Sequence, residues 1–102
     1  MSKKIFTMTE KVWLYPGGTA SWHFITLTKS IGKEIKENFG KNARGFGSLP
    51  VEVTIGKTTW KTSIFPDKYS GSYFLPVKAS IRKKEDILLD DKVKFTIRLL
   101  PG

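Results

Sequence analysis

The chain has 102 residues, enough for one domain with a modest core, and its composition (39% hydrophobic, 13% aromatic, 26% charged) is that of a globular protein. It has no cysteine, which excludes disulfides and thiolate metal sites and makes a reducing cytoplasm the expected compartment; no apolar run approaches the ~20 residues of a membrane span. Eighteen Lys and Arg against nine Asp and Glu give a net charge of +9, an excess that favours polyanionic partners.

The start, Met1 to Thr7, carries charge but no apolar stretch, so no secretory signal is expected. From Ile5 to Leu14 the pattern alternates: Ile5, Thr7, Thr9 and Lys11 share one face, and Phe6, Met8, Val12 and Leu14 mostly the other, as in a half-buried strand. Tyr15, Pro16, Gly17, Gly18 and Thr19 predict a turn. A second strand follows over residues 20–27, with Trp22 and Phe24 on one side and His23, Ile25 and Leu27 on the other; the two strands are expected to form a hairpin. Thr28 or Ser30 then caps a helix whose apolar stripe is Ile31, Ile35 and Phe39, with Gly40 as its stop. Residues 40–47 read as a flexible basic loop.

Val51, Val53 and Ile55 alternate with Glu52 and Thr54, and Gly56-Lys57 makes a tight turn into a partner strand running to Phe65. Residues 66–71 read as a loop and residues 72–77 as another strand. Ser80 is placed as the cap of a short helix ending near Asp86. After a turn over residues 88–91, Val93, Phe95, Ile97 and Leu99 alternate with Lys92, Lys94, Thr96 and Arg98, the cleanest strand pattern in the chain.

One pattern occurs twice. Ser30-Ile31 leads through a helix into Val51-Glu-Val-Thr-Ile55, and Ser80-Ile81 leads through a helix into Val93-Lys-Phe-Thr-Ile97. Each copy is strand, short basic helix, strand, and neither can bury its apolar faces alone. Interlocking the two closes a barrel within one chain and removes exposed strand edges. The expectation from the repeat is therefore a single all-β barrel domain over residues 1–102 with two short helices, built from two pseudo-repeated, interlocked halves; the repeat argues for a monomer, and a dimer would not contradict it.

The second copy, Leu75-Pro76 through Ile81-Arg82-Lys83 to Asp90-Asp91 and Val93, resembles the signature of the swapped-hairpin barrels of bacterial transition-state regulators and antitoxins. Those are DNA-binding dimers with basic residues near the position of Arg82. The chain differs from that pattern in having Asp90 where a glycine usually precedes the turn aspartate. A broader resemblance spans Phe6 to Leu99. Trp22-His-Phe24, Gly47-Ser-Leu-Pro-Val-Glu-Val53, Trp60-Lys-Thr-Ser-Ile-Phe-Pro66 and Gly71-Ser-Tyr-Phe-Leu-Pro-Val-Lys78 occur in the order seen in the bacterial domain-of-unknown-function family 1905. That resemblance implies a closed six-stranded double-split β-barrel related to the antitoxin barrels and implies no activity.

Catalysis has little to rest on, and no catalytic residue, cofactor or metal is expected. His23 is the one histidine and lies between aromatics in a strand, where packing is the ordinary role. Ser63 lacks a nucleophile-elbow context, and one histidine without cysteines makes no metal site. Basic residues make the better case for binding. Lys41 and Arg44 lie in the glycine-rich loop beside Phe46, which either stacks on a base or tucks into the core. Arg82 and Lys83 lie on the second helix, where Arg82 either packs in part or pairs with an acid such as Asp67 or Asp90, and by the antitoxin resemblance would reach DNA. Lys92, Lys94 and Arg98 line the outer face of the last strand. Trp13, Trp22 and Trp60 are placed mostly in the core, with at least one lining a groove. The leading expectation is a non-enzymatic module that binds DNA or RNA through these seven basic residues. The alternatives are a protein-interaction domain, or a small-ligand groove built from Trp22, His23, Ser63 and Tyr73, with Tyr69 at its rim.

Overall fold

A computed structural model of the chain describes residues 4–16, 22–43 and 47–101. Six strands and two helices follow in the order β1 (Ile5–Leu14), β2 (His23–Thr26), α1 (Lys29–Phe39), β3 (Leu49–Ile55), β4 (Thr58–Asp67), β5 (Ser72–Pro76), α2 (Ala79–Lys84) and β6 (Lys92–Leu99). One turn of 3-10 helix, Gly40–Asn42, extends α1. The strands form a closed antiparallel barrel in the order β1-β2-β5-β4-β3-β6.

The repeat seen in the sequence is written into this order. Exchanging β1 with β4, β2 with β5 and β3 with β6 returns the same cyclic arrangement. The registers obey the exchange as well. A shift of 50 residues, which carries Ser30 onto Ser80, turns the Phe24–Pro76 pair into Phe74–Thr26 and leaves Ile25–Leu75 where it is. In the other shared ladder, Thr54, the fourth residue of Val51-Glu-Val-Thr-Ile55, faces its own counterpart Thr96. Two outer hydrogen bonds match too: Leu27 N–H donates to Tyr73 O and Val77 N–H to His23 O, both at 2.9 Å. The barrel thus has a pseudo-twofold axis between Ile25–Leu75 at one side and Thr54–Thr96 at the other.

Alternation supplies the core. Val12, Ile25, Val51, Val53, Ile64, Leu75 and Ile97 have no solvent exposure, and Phe95 is buried among them. Each such side chain contributes roughly 1.5–3 kcal/mol through burial. Of α1, Gly32 and Ile35 are buried, with Ile31 and Phe39 packed against the core, so the apolar stripe faces inward as the spacing requires. Thr28 caps α1, its Oγ1 accepting from Ile31 N–H at 3.4 Å. Gly56, at φ +56°, makes the two-residue β3–β4 turn, and Asp90 adopts the left-handed region at φ +72° ahead of β6.

Several local expectations need correction. Gly40 does not stop α1 with a left-handed residue; at φ −57° it passes the chain into the 3-10 turn. Ser80 is inside α2, whose cap position is Lys78, two residues before the serine, because β5 ends at Pro76 and the chain turns into the helix from there. β4 runs on through Pro66 to Asp67, since Pro66 and Asp67 still face Tyr73 and Ser72 of β5; the loop is only residues 68–71. Leu14 is exposed at the end of β1 rather than buried with Phe6, Met8 and Val12. The start of the second strand at residues 20–21 and most of the turn before it lie outside the described residues. Among the described residues no helix is long and apolar enough to cross a membrane.

Candidate functional site

Where Val12, Ile25, Leu75 and Ile64 point inward, an adjacent residue on each strand points out. Those residues are Trp13, Phe24, Phe74 and Phe65. Trp13 faces Phe24 across β1–β2 and Phe65 faces Phe74 across β4–β5. The rings form one row over four strands, with centroids 5.2 Å apart for Trp13–Phe24, 4.7 Å for Phe24–Phe74 and 5.6 Å for Phe74–Phe65. The pseudo-twofold axis passes through the middle of the row and exchanges its two ends. Tyr15 meets Phe24 edge-on at 6.1 Å, and Trp22 lies nearly parallel to Phe24 at 6.3 Å.

These rings floor an open groove of about 1020 Å³, with Pro50, Lys61, Ser63, Tyr69 and Leu100 among its other walls. Trp13 is oriented by its Nε1–H, which donates to Thr26 Oγ1 at 2.8 Å, leaving the ring face to the groove. Trp22 is 53% exposed and Tyr15 51%. Large rings left in water on a small domain mark a surface that meets something flat or apolar. Lys61 and Asp67 provide the charges among the groove walls.

A smaller cleft of about 260 Å³ adjoins the groove, sharing Trp22, Thr62 and Pro76 with it. It opens where β4 parts from the β5–α2 connection and holds His23, Trp60, Lys78 and Arg82. Arg82 Nε–H donates to Val77 O at 3.2 Å, and Arg82 Nη1 lies 3.5 Å from His23 Nε2. The expected pairing of Arg82 with Asp67 or Asp90 is absent, because the backbone carbonyl and the imidazole of this cleft take the guanidinium instead.

The sequence-derived groove is partly reassembled. Trp22 and Ser63 line the large groove, His23 the small cleft, and Tyr69 is fully exposed at the rim. Tyr73 does not belong: it is 4% exposed and faces the core, and its burial raises the phenol pKa above the usual value. Neighbouring residues of a strand point to opposite faces, so Phe74, not Tyr73, reaches the groove. Trp60 packs against the core, whereas Trp13 and Trp22 stand on the outer surface, contrary to the expectation that the tryptophans are mostly interior.

Six of the seven basic residues stand on three elements. Lys41 is exposed on the 3-10 turn, Arg82 and exposed Lys83 are on α2, and Lys92, Lys94 and Arg98 are on β6; Arg44 and Phe46 lie outside the described residues. Lys92 and Lys94 face solvent opposite Lys11 and Thr9 of β1. Arg98 is committed to Glu52, its Nη2–H donating to Glu52 Oε1 at 2.9 Å across the β3–β6 ladder. Among the described residues no three of His, Asp or Glu converge as a metal site would require.

Fold and groove together define a small closed antiparallel barrel domain with a helix in each crossover and an aromatic outer face. The family model described as a domain of unknown function, DUF1905, matches residues 9–97, and the chain belongs to that family. No curated protein matches the chain.

Proposed function

We propose that the protein is a non-enzymatic binding module for single-stranded nucleic acid, with bases stacking on the Trp13–Phe24–Phe74–Phe65 row. The observation that carries the reading is that row itself, four rings 4.7–5.6 Å apart over an open groove on a chain of net charge +9. Unstacked bases present flat apolar faces, and base–aromatic stacking contributes roughly 1–3 kcal/mol per base without needing a particular sequence. A duplex hides those faces, so single strands are the preferred form. Asp67 offsets Lys61 within the groove, so the positive charge near the rings comes from Lys78 and Arg82 at the adjoining cleft. A binding role is favoured over catalysis because Ser63 and His23 line different openings, leaving a nucleophile and base apart.

The test is fluorescence anisotropy of labelled single-stranded and duplex DNA and RNA over a salt series. Log affinity should fall linearly with log salt, single strands should bind more tightly, and Phe74→Ala should weaken them about fivefold to 100-fold. Equal affinity for single strands and duplex, or a Phe74→Ala variant that binds as well as the parent, refutes the reading. A protein segment captured on the same aromatic face, with no affinity for either nucleic acid, would replace it.

A further inference from the structure

The two halves of the barrel match in strand order and register, so a difference between them where a crossover helix meets its strand is informative. In the first half α1 closes tightly on β5: a Cβ on Gly32 would lie 2.0 Å from Ser72 Oγ, and that hydroxyl donates to Thr28 O at 3.2 Å. The 50-residue shift puts Arg82 in the place of Gly32, and Trp22 and His23 in the places of Ser72 and Tyr73. A guanidinium facing two rings cannot close as a glycine closes on a serine. The cleft of about 260 Å³ occupies the corresponding position beside α2.

Donors line that cleft, together with the His23 imidazole and the Thr62 hydroxyl. Trp60 Nε1 is buried without a hydrogen-bond partner, and it is the one such side-chain nitrogen or oxygen among the described residues. An indole N–H only donates, and a buried donor left unmade is strongly disfavoured. Arg82 and Lys78 likewise donate and never accept. The guanidinium is held at the cleft by Val77 O. Donors and positive charge in a partly enclosed space complement an oxyanion.

We propose that this cleft is a phosphate subsite, in which Arg82 and Lys78 balance the phosphoryl charge and a turn of the Trp60 ring toward the cleft brings its buried Nε1–H, which solvent does not reach in this structure, to a phosphoryl oxygen. In its link to the groove the inference rests on the nucleic-acid reading: the openings share Trp22, Thr62 and Pro76, so a strand stacked on the rings would lay a phosphodiester here. Free inorganic phosphate or a terminal phosphate presents the same oxygens.

The three tryptophan indole N–H signals in a proton–nitrogen spectrum provide the test, with Trp60 identified through Trp60→Phe. Inorganic phosphate is titrated at fixed pH, with sodium chloride holding ionic strength constant. The Trp60 signal should move saturably, and Arg82→Gln should weaken the apparent affinity roughly tenfold. Lys78→Gln, at an exposed position, should weaken it as well and serves if the Arg82 variant does not fold. A shift that does not saturate, that chloride alone reproduces, or that neither variant weakens overturns the subsite. Oligothymidylate is then added. Displacement of phosphate from Trp60 identifies the phosphodiester as the source, and a strand that binds the groove while phosphate keeps its effect identifies free phosphate. Saturable phosphate binding with no strand binding at all upholds the subsite and overturns only the nucleic-acid reading.

Discussion

Gly32 is the position where the barrel's tolerance is smallest. A Cβ added there would sit 2.0 Å from Ser72 Oγ, 2.7 Å from Ser72 Cβ and 2.9 Å from Ser72 Cα. Carbon atoms in contact normally stand about 3.5–4.0 Å apart. The hydroxyl can rotate away, but the Cα cannot, so α1 must move off β5. That displacement weakens the Ser72–Thr28 hydrogen bond and loosens the packing of Ile35 one turn along. Overpacking of this kind costs about 1–3 kcal/mol or more, while alanine in a helix regains up to about 1 kcal/mol over glycine. With the overlap at the upper end of that range, Gly32→Ala is therefore expected to lose on the order of 2 kcal/mol net, which at ~4–8 °C per kcal/mol lowers Tm by roughly 8–16 °C. Urea unfolding followed by tryptophan fluorescence measures the loss as a lower midpoint at unchanged slope. Gly40→Ala supplies the control: its Cβ would meet only Lys36 Cγ at 3.7 Å and its φ of −57° suits alanine, so stability should hold or rise. A Gly32→Ala midpoint at or above that of the parent would refute the argument that close approach of α1 to β5 requires a glycine.

Two further outcomes follow from the backbone and from burial. Asp90 sits at φ +72°, and no side-chain bond of its own holds it there among the contacts described; Asp90→Gly should raise stability by about 0.5–1 kcal/mol, read as a small gain in urea midpoint. Burial raises the Tyr73 phenol pKa in the folded protein above its value of 10.0 in the unfolded chain. The folded state then keeps a proton that the unfolded state releases, so this contribution is full below pH 10.0 and is lost as pH rises from there through the folded pKa. Denaturation midpoints across that range should fall less steeply in Tyr73→Phe than in the parent.

The architecture was legible because its evidence is local and repeated. Val51-Glu-Val-Thr-Ile55 and Val93-Lys-Phe-Thr-Ile97 announce equivalent strands by alternation alone, and their pairing through Thr54 and Thr96 follows from equivalence. Where local signals misled, tertiary pairing had taken over. Pro66 looked like a loop residue, yet Tyr73 across the ladder keeps it in β4. Ser80 looked like a cap, yet β5 ends at Pro76 and starts the helix sooner. The aromatic site was only half visible for the same reason. Trp22 and Phe24 share a strand face that alternation reveals, but Phe74 reaches Phe24 only through the β2–β5 ladder, 50 residues away along the chain. Alternation alone does not separate Tyr73 from its neighbour Phe74 as the outward residue, because nothing local fixes which face of a five-residue strand is inside. Applying the repeat to side chains as well as to strands was the available signal: the shift that maps Ser30 onto Ser80 maps Phe24 onto Phe74.

Pseudo-symmetry also explains why the groove and the cleft lie where they do. Residues on the axis are constrained twice, once in each half, so Ile25 and Leu75 pack the interior while Phe24 and Phe74 outside are brought within 4.7 Å of one another. A single aromatic in the repeated unit thus becomes a pair, and Trp13 with Phe65, matched neighbours on β1 and β4, lengthen it to four. Off the axis the halves are free to differ, and there they do. One crossover helix meets its strand through Gly32 and Ser72 and seals the barrel; the other presents Arg82 to His23 and stays open. A duplicated unit can build a symmetric platform from shared residues and a one-sided pocket from unshared ones without altering the barrel that carries both. The position of Arg82 beside Trp22, at the edge of the ring row, is the point where these two products of the duplication meet.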